Sequence, residues 1–234
     1  MKVVKVIPIT RGVSREELTY FTAAAIEPGT IAVVPLRGRT ALALVTQVGE
    51  VDKLKFDVKK AAYPLKKIIR VKHERFFTPP FMAAARLAAD YAAAPLGATL
   101  KSLVSATILE AKLNSPTQDW PKAESAAGER FVLQEPDDER RTCYKSLIRA
   151  EFAKSGSVFL CLPTVVDIIR TFTSLERGIS EYTIALHHQL STRELIRAWQ
   201  RALELAHPVL IIATPTFLAL PRTHIRTNIV DQQN

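Results

Sequence analysis

Residues 157–213 read SVFLCLPTVVDIIRTFTSLERGISEYTIALHHQLSTRELIRAWQRALELAHPVLIIA. Three short apolar runs, Ser157–Leu162, Tyr182–Leu186 and Pro208–Ala213, alternate with two longer stretches of helical periodicity, Thr164–Leu175 and Ser191–Ala206. Runs of four to eight apolar residues bounded by turn residues suit strands buried on both faces, and the longer amphipathic stretches suit crossover helices. Strands alternating with helices of this length predict a parallel sheet with right-handed crossovers, an α/β fold. Outward from that stretch, a helix is expected over 139–154, and a last strand over Arg226–Val230, ending at Asp231.

Toward the N-terminus the pattern changes. Residues 112–130 are polar and carry Pro116, Pro121 and Gly128, the composition of a linker. Before it, VVKVIPI over 3–9 reads as a strand. Glu27-Pro28-Gly29-Thr30 marks a turn. Ile31–Leu36 and Ala41–Val48 flank Arg37-Gly38-Arg39-Thr40 as a hairpin, and 65–72 forms a further strand. The first 75 residues therefore predict a small β-barrel or sandwich. After Pro79-Pro80 an alanine-rich helix runs to Ala94, and Pro95-Leu96-Gly97 breaks it before a second short helix. The expected organisation is a small β-rich domain over 1–108, a linker over 109–130 and the α/β domain over 131–234.

The chain of 234 residues is 47% apolar and 24% charged, within the range of globular domains. No apolar run approaches the roughly 20 residues that span a bilayer, and MKVVKVIPIT lacks the pattern of a signal peptide. Neither a membrane partner nor secretion is expected. Cys143 and Cys161 are isolated, too few for a four-ligand zinc site and unlike a disulfide framework, so a reducing cytoplasm is the expected setting. Adjacent His187 and His188 at a strand end point in opposite directions and make a poor ligand pair. The net charge of +9 favours a polyanionic partner, nucleic acid first. Its densest source is 53–75, where Lys53, Lys55, Lys59, Lys60, Lys66, Lys67, Arg70, Lys72 and Arg75 face only Asp57 and Glu74.

Three segments of the second half occur in the order of a helicase motor's first lobe. Leu186-His187-His188-Gln189-Leu190-Ser191-Thr192-Arg193-Glu194-Leu195, with Trp199 beyond it, is similar to the "LHSGLS..ER...W" segment of the primosomal replication-restart helicase (primosomal protein N′) family. Ala213-Thr214-Pro215-Thr216-Phe217-Leu218 stands in place of that family's "GTRSAL", and Ile229-Val230-Asp231-Gln232-Gln233-Asn234 in place of "IVDEEH", with matching spacing. The resemblance implies a RecA-like lobe. It also implies a phosphate loop ending in Gly-Lys-Thr, and here the chain departs. Gln134 to Thr142 lies over that loop without a glycine, with Arg141-Thr142 near the Lys-Thr position, in this register or one shifted by a residue. Asp137, Asp138 and Glu139 would repel a triphosphate, and Pro136 removes an N–H. Asp231 is retained, but Gln232 and Gln233 replace both glutamates, and an amide neither polarises water as a base nor holds a cation as a carboxylate does. Arg141, Thr142, Asp231 and Gln232 thus read as a vestigial nucleotide site. A degenerate motor without ATPase activity, and with no cofactor, is expected.

The first half resembles the same family. Leu87 to Leu100, LAADYAAAPLGATL, is similar to the "ADYY..P.G..L" segment that closes its N-terminal DNA-binding domain, and Ile31–Leu36 with Arg37-Gly38-Arg39 resembles its "V.VPFG.R" strand and turn. By that resemblance a pocket for the 3′ end of DNA would involve Leu18, Thr19 and Tyr20, the turn Arg37, Gly38 and Arg39, and Lys66, with Lys67 beside it. Thr19 stands where a carboxylate would accept a bond from the 3′ hydroxyl, and Leu18 where an aromatic would stack. The family's winged-helix and cysteine-rich regions find no counterpart in the sequence. The expected function is non-catalytic binding of forked or single-stranded DNA, with primosome proteins as further partners. Two other readings stay open: a half-helicase ATPase that needs a partner lobe, and a protein-docking module without DNA binding.

Overall fold

Val3, Val4 and Val6 are β-branched residues that suit a pleated, buried surface, and they open the first strand. In the computed structural model, which describes residues 1–11, 17–50, 65–113, 128–175 and 178–231, the chain divides into two units, Met1–Thr117 and Gln118–Asn234.

The first unit is built on six strands: β1 (Lys2–Pro8), β2 (Leu18–Thr22), β3 (Ile31–Leu36), β4 (Arg39–Glu50), β5 (Lys66–Lys67) and β6 (Arg70–His73). Their order is β5-β2-β1-β4-β3-β6. All neighbours are antiparallel except β2 and β5. The outermost strands of that order, β5 and β6, are consecutive in the chain. Between them, Ile68 N–H donates to Phe21 O at 3.0 Å and Ile69 N–H to Val33 O at 2.9 Å. One segment thus pairs with both edges and curls the sheet into a barrel. The single strand expected over 65–72 is therefore two short strands, because its halves bond to different partners. A bulge in the β1–β4 pairing between Lys5 and Val6 adds local twist, which favours such curling. Alternate residues Val4, Val6, Ala32, Val34, Ala43 and Val45 meet Tyr20, Ile26 and Ile68 in the barrel core.

The β3–β4 hairpin closes with two residues of positive φ, Arg37 at 48° and Gly38 at 77°, the type I′ geometry that matches strand twist. Helix α1 (Pro79–Tyr91) starts where Thr78 Oγ1 accepts from Phe81 N–H at 3.1 Å. It ends before the expected Ala94, with Ala93 left-handed at φ 47°. Helix α2 (Leu96–Leu103) begins directly after Pro95 and includes Gly97, whose missing Cβ would lie 2.0 Å from Pro8 O. That clash makes glycine the residue that lets α2 approach β1. A further short helix, α3 (Ala106–Glu110), was not expected. β6 holds its C-terminal carbonyls: His73 Nε2 lies 2.9 Å from Leu109 O, and Lys72 Nζ donates to Glu110 O at 2.6 Å.

In the second unit, α4 (Asp137–Ala153), β7 (Ser157–Cys161), α5 (Val165–Leu175), β8 (Thr183–Leu186), α6 (Thr192–Glu204), β9 (Leu210–Ala213) and β10 (Ile225–Val230) follow one another. All sheet pairings are parallel, in the order β10-β7-β9-β8. β7 and β9 are buried throughout, as central strands with covered faces should be. Ser191 and Glu194 form a reciprocal capping box at the start of α6, and Trp199 from this helix is buried near Phe217. Arg222 is buried without a carboxylate partner among the described residues. Its guanidinium donates to Ser157 Oγ at 3.0 Å, Ala202 O at 2.6 Å, Leu205 O at 3.0 Å and His207 O at 2.8 Å, so it gathers carbonyls left open at the end of α6.

Candidate nucleic-acid interface

The joint at which the first unit's sheet closes brings the predicted DNA-binding residues together. β2 pairs with β5 in the register Tyr20↔Lys66 and Phe21↔Lys67. Tyr20 is buried, and its hydroxyl donates to Pro35 O at 2.8 Å, two residues before the 37–38 turn. β2, the turn of the β3–β4 hairpin and the Lys66–Lys67 pair therefore share one region. Tyr20 and Leu18 pack against the barrel core, so neither presents an exposed stacking face. Thr19, between them, lies opposite Lys5 on β1. Arg37, Gly38, Arg39, Lys66 and Lys67 are exposed.

The cations of this region fall into two groups. Lys72 donates to Glu110 O, Arg75 pairs with Glu27 at 2.8 Å, and Lys5 lies 3.7 Å from Glu17. Arg37, Arg39, Lys66, Lys67 and Arg70 are exposed and make no ion pair among the described residues. Such side chains can meet phosphates without first breaking an internal contact. Arg70, opposite Val33 at the start of β6, joins the predicted set through the same closure. Ile69, between Lys67 and Arg70, is 52% exposed and gives the strip an apolar element. Lys53, Lys55, Lys59, Lys60 and Tyr63 lie outside the described residues.

Charge is divided unevenly between the units. Residues 1–117 hold 18 Lys and Arg against 9 Asp and Glu, while residues 118–234 hold 14 against 14. The whole net charge of +9 therefore belongs to the first unit.

In the second unit the other predicted residues are divided between a strand end, which carries Asp231, and the first turns of α4, which carry Arg141 and Thr142. Asp231 follows β10, is buried, and its N–H donates to Cys161 O at 3.0 Å. Its carboxylate faces α4. Arg140 Nε lies 3.4 Å from Asp231 Oδ2, and the Tyr144 hydroxyl lies within reach of the Asp231 charge. Burial, and then the Asp231 charge, push the Tyr144 hydroxyl up to about 12, so it stays a proton donor. Arg141 instead reaches Asp137 and Asp138, each at 3.6 Å, and the Thr142 hydroxyl donates back to Asp138 O at 2.9 Å. Neither Arg141 nor Thr142 contacts Asp231 among the described residues, and Gln232 lies outside them. Arg140 and Tyr144 had not been singled out in the sequence. The signal was there: Asp137, Arg140, Arg141 and Tyr144 recur at helical spacings of three, four and seven on one face. His187, after β8, is buried with Nδ1 unpartnered among the described residues, and burial, then His188, lowers its pKa. No group of three or more metal-ligating side chains occurs among the described residues. None of the described helices is long and apolar enough to cross a membrane.

Residues 6–105 match the family model of the PriA-type 3′DNA-binding domain (3′BD), a match that covers most of the first unit and less than half of the chain. No curated protein matches the chain. The matched span contains the joint, the 37–39 turn and the Lys66–Lys67 pair, so the first unit is a DNA-binding domain. Through it the chain is related to the primosomal protein N′ family.

Proposed function

We propose that this chain is a non-catalytic DNA-binding protein of the replication-restart type. On this reading the first unit holds forked or single-stranded DNA, and the second unit is a RecA-like motor lobe that no longer turns over nucleotide. The observation that carries the reading is the confinement of the entire net charge to the first unit, together with five exposed cations that gather at its closure without an ion-pair partner among the described residues.

Supporting the second half of the reading, the sheet of the second unit is all parallel, and the described parts of the three motif-like segments, the last as far as Asp231, stand at the carboxyl ends of β8, β9 and β10. Ligands of open α/β sheets bind at those ends. Yet the first turn of α4 carries Asp137, Asp138 and Glu139, which already complement the positive end of the helix. A phosphate arriving there would meet three carboxylates rather than open N–H groups. A neutral unit also lacks the field that draws a nucleic-acid track. With Thr19 and Leu18 at the positions implied for 3′-end recognition, backbone contact outweighs end recognition.

The test is a titration of fluorescent forked and single-stranded DNAs, with free and blocked 3′ ends, at two salt concentrations, alongside a steady-state ATPase assay with the same forks. Binding that weakens with salt and depends little on the 3′ end, without ATP turnover, is expected. DNA-stimulated hydrolysis of ATP would overturn the non-catalytic half. Failure to bind any of the DNAs at low salt would overturn the other half.

A further inference from the structure

A carboxylate buried at the end of a parallel strand needs a partner, because an isolated charge there is costly. Asp231 finds its partner on the helix that begins beside it. The Arg140 guanidinium lies 3.4 Å through Nε from Asp231 Oδ2 and 2.7 Å through Nη2 from Asp137 Oδ1. One planar cation thus bridges two carboxylates, one on the sheet and one in the first turn of α4. The Arg140 side chain is only 18% exposed, and its Nε–H has no hydrogen-bond partner among the described residues, so the contact with Asp231 is an ion pair rather than a directed bond. Tyr144, one turn further along α4, feels the charge of the same carboxylate. Arg141 binds Asp137 and Asp138 from outside, so all four cation–anion contacts made by Arg140 and Arg141 are internal.

We propose that Arg140 is a built-in counter-ion that clamps α4 onto the end of β10 and takes up the carboxylate positions a divalent cation would require. An arginine does not deprotonate, so it cannot clear the site by losing its charge. A metal ion would have to expel the guanidinium from Asp231 before gaining oxygen ligands. Magnesium-bound nucleotide therefore does not fit these residues. The second unit is held permanently in one arrangement, and neither the ion nor the nucleotide shifts it. Only the identity of the displaced ion rests on the motor-lobe reading given above; the clamp itself stands on the ion pair.

The test uses the full chain as wild type, Arg140→Gln, Arg140→Lys, Asp231→Asn and the Arg140→Gln/Asp231→Asn double variant. Manganese binding is followed by electron paramagnetic resonance, and thermal melting is followed with chelator, with Mn²⁺ and with Mg-ATP. The wild type is expected to show no saturable Mn²⁺ site and the same melting temperature in all three solutions. Arg140→Gln should melt several degrees lower in chelator, recover with Mn²⁺, and lose that recovery in the double variant. A wild-type Mn²⁺ site abolished by Asp231→Asn would overturn the proposal. So would an Arg140→Gln protein that melts like wild type and ignores Mn²⁺. Should Arg140→Gln not fold, Arg140→Lys decides: it keeps the charge and should still exclude Mn²⁺, and saturable binding through Asp231 would refute the counter-ion role. Fork DNA binding, measured on the same proteins, separates the two ideas. Its absence in wild type sinks the DNA-binding reading and leaves the melting data to judge the clamp.

Discussion

Replacing Lys66 and Lys67 by glutamine tests the interface where its geometry is best defined. Both side chains are exposed, both belong to β5, and neither forms an ion pair among the described residues, so neutralising them removes external contacts without stranding an internal charge. Each phosphate neutralised on a single strand contributes about −0.7 to the slope of log K against log salt. The five cations at the joint, Arg37, Arg39, Lys66, Lys67 and Arg70, would together supply a slope of about −3.5 on this basis. Raising salt from about 50 to about 200 mM would then weaken binding by about 10² for those five, and by about 20-fold for the three that remain in the variant. The difference in slope, about 1.4, is independent of any other lysines that contribute, which makes it the quantity to read. Fluorescence anisotropy with a labelled oligonucleotide over a salt series measures it, and near-ultraviolet circular dichroism confirms that the barrel is intact. An unchanged slope, with affinity equal to wild type, would refute the assignment of the interface to the closure of the sheet.

Other consequences concern the two scaffolds. Arg222→Met should destabilise the second unit by about 1–3 kcal/mol, because Ser157 Oγ and three carbonyls lose their shared donor; denaturant unfolding with hydrogen exchange at β7 and α6 reads this, and stability equal to wild type would contradict it. His73 is held below its ordinary pKa, chiefly by burial, so the unfolded chain takes up its proton first and stability should fall as pH drops through 6.5 toward the lower folded value; His73→Gln should flatten that part of the profile, and an identical pH dependence in both proteins would speak against the linkage. Gly97→Ala places a methyl 2.0 Å from Pro8 O, and should cost about 1–3 kcal/mol as α2 is pushed off β1, measured by thermal melting.

The clamp at Asp231 bears on how the two units divide the work. Here the carboxylate has an internal cation, delivered by α4. If that arrangement is permanent, DNA affinity in the first unit has no nucleotide-dependent signal to follow, and binding should be insensitive to Mg-ATP.

Much of the architecture was legible in local chemistry. The buried runs at β7, β8 and β9 and the amphipathic stretches between them announce a parallel sheet, because a strand covered on both faces must be apolar along its length. Gly38 within Arg37-Gly38-Arg39-Thr40, between two strand-like runs, announces the hairpin, because glycine takes a left-handed φ freely; that Arg37 takes one too came only with the fold. The basic run and the family resemblance pointed to the first unit as the DNA-binding part. What neighbouring residues could not decide was decided by tertiary structure. Whether 65–72 is one strand or two depends on Phe21 and Val33, residues more than thirty positions away that accept bonds from Ile68 and Ile69. Which arginine meets Asp231 depends on helical phase: one residue turns a side chain about 100° around the axis, so Arg140 faces the strand end while Arg141 faces its own helix. The sequence alone thus determined local periodicity, turn chemistry and total charge, which depend on adjacent residues. Closure of the sheet, convergence of the cations at its seam and pairing of the buried carboxylate came only with the fold, because each joins groups whose separation along the chain says nothing of their distance in space.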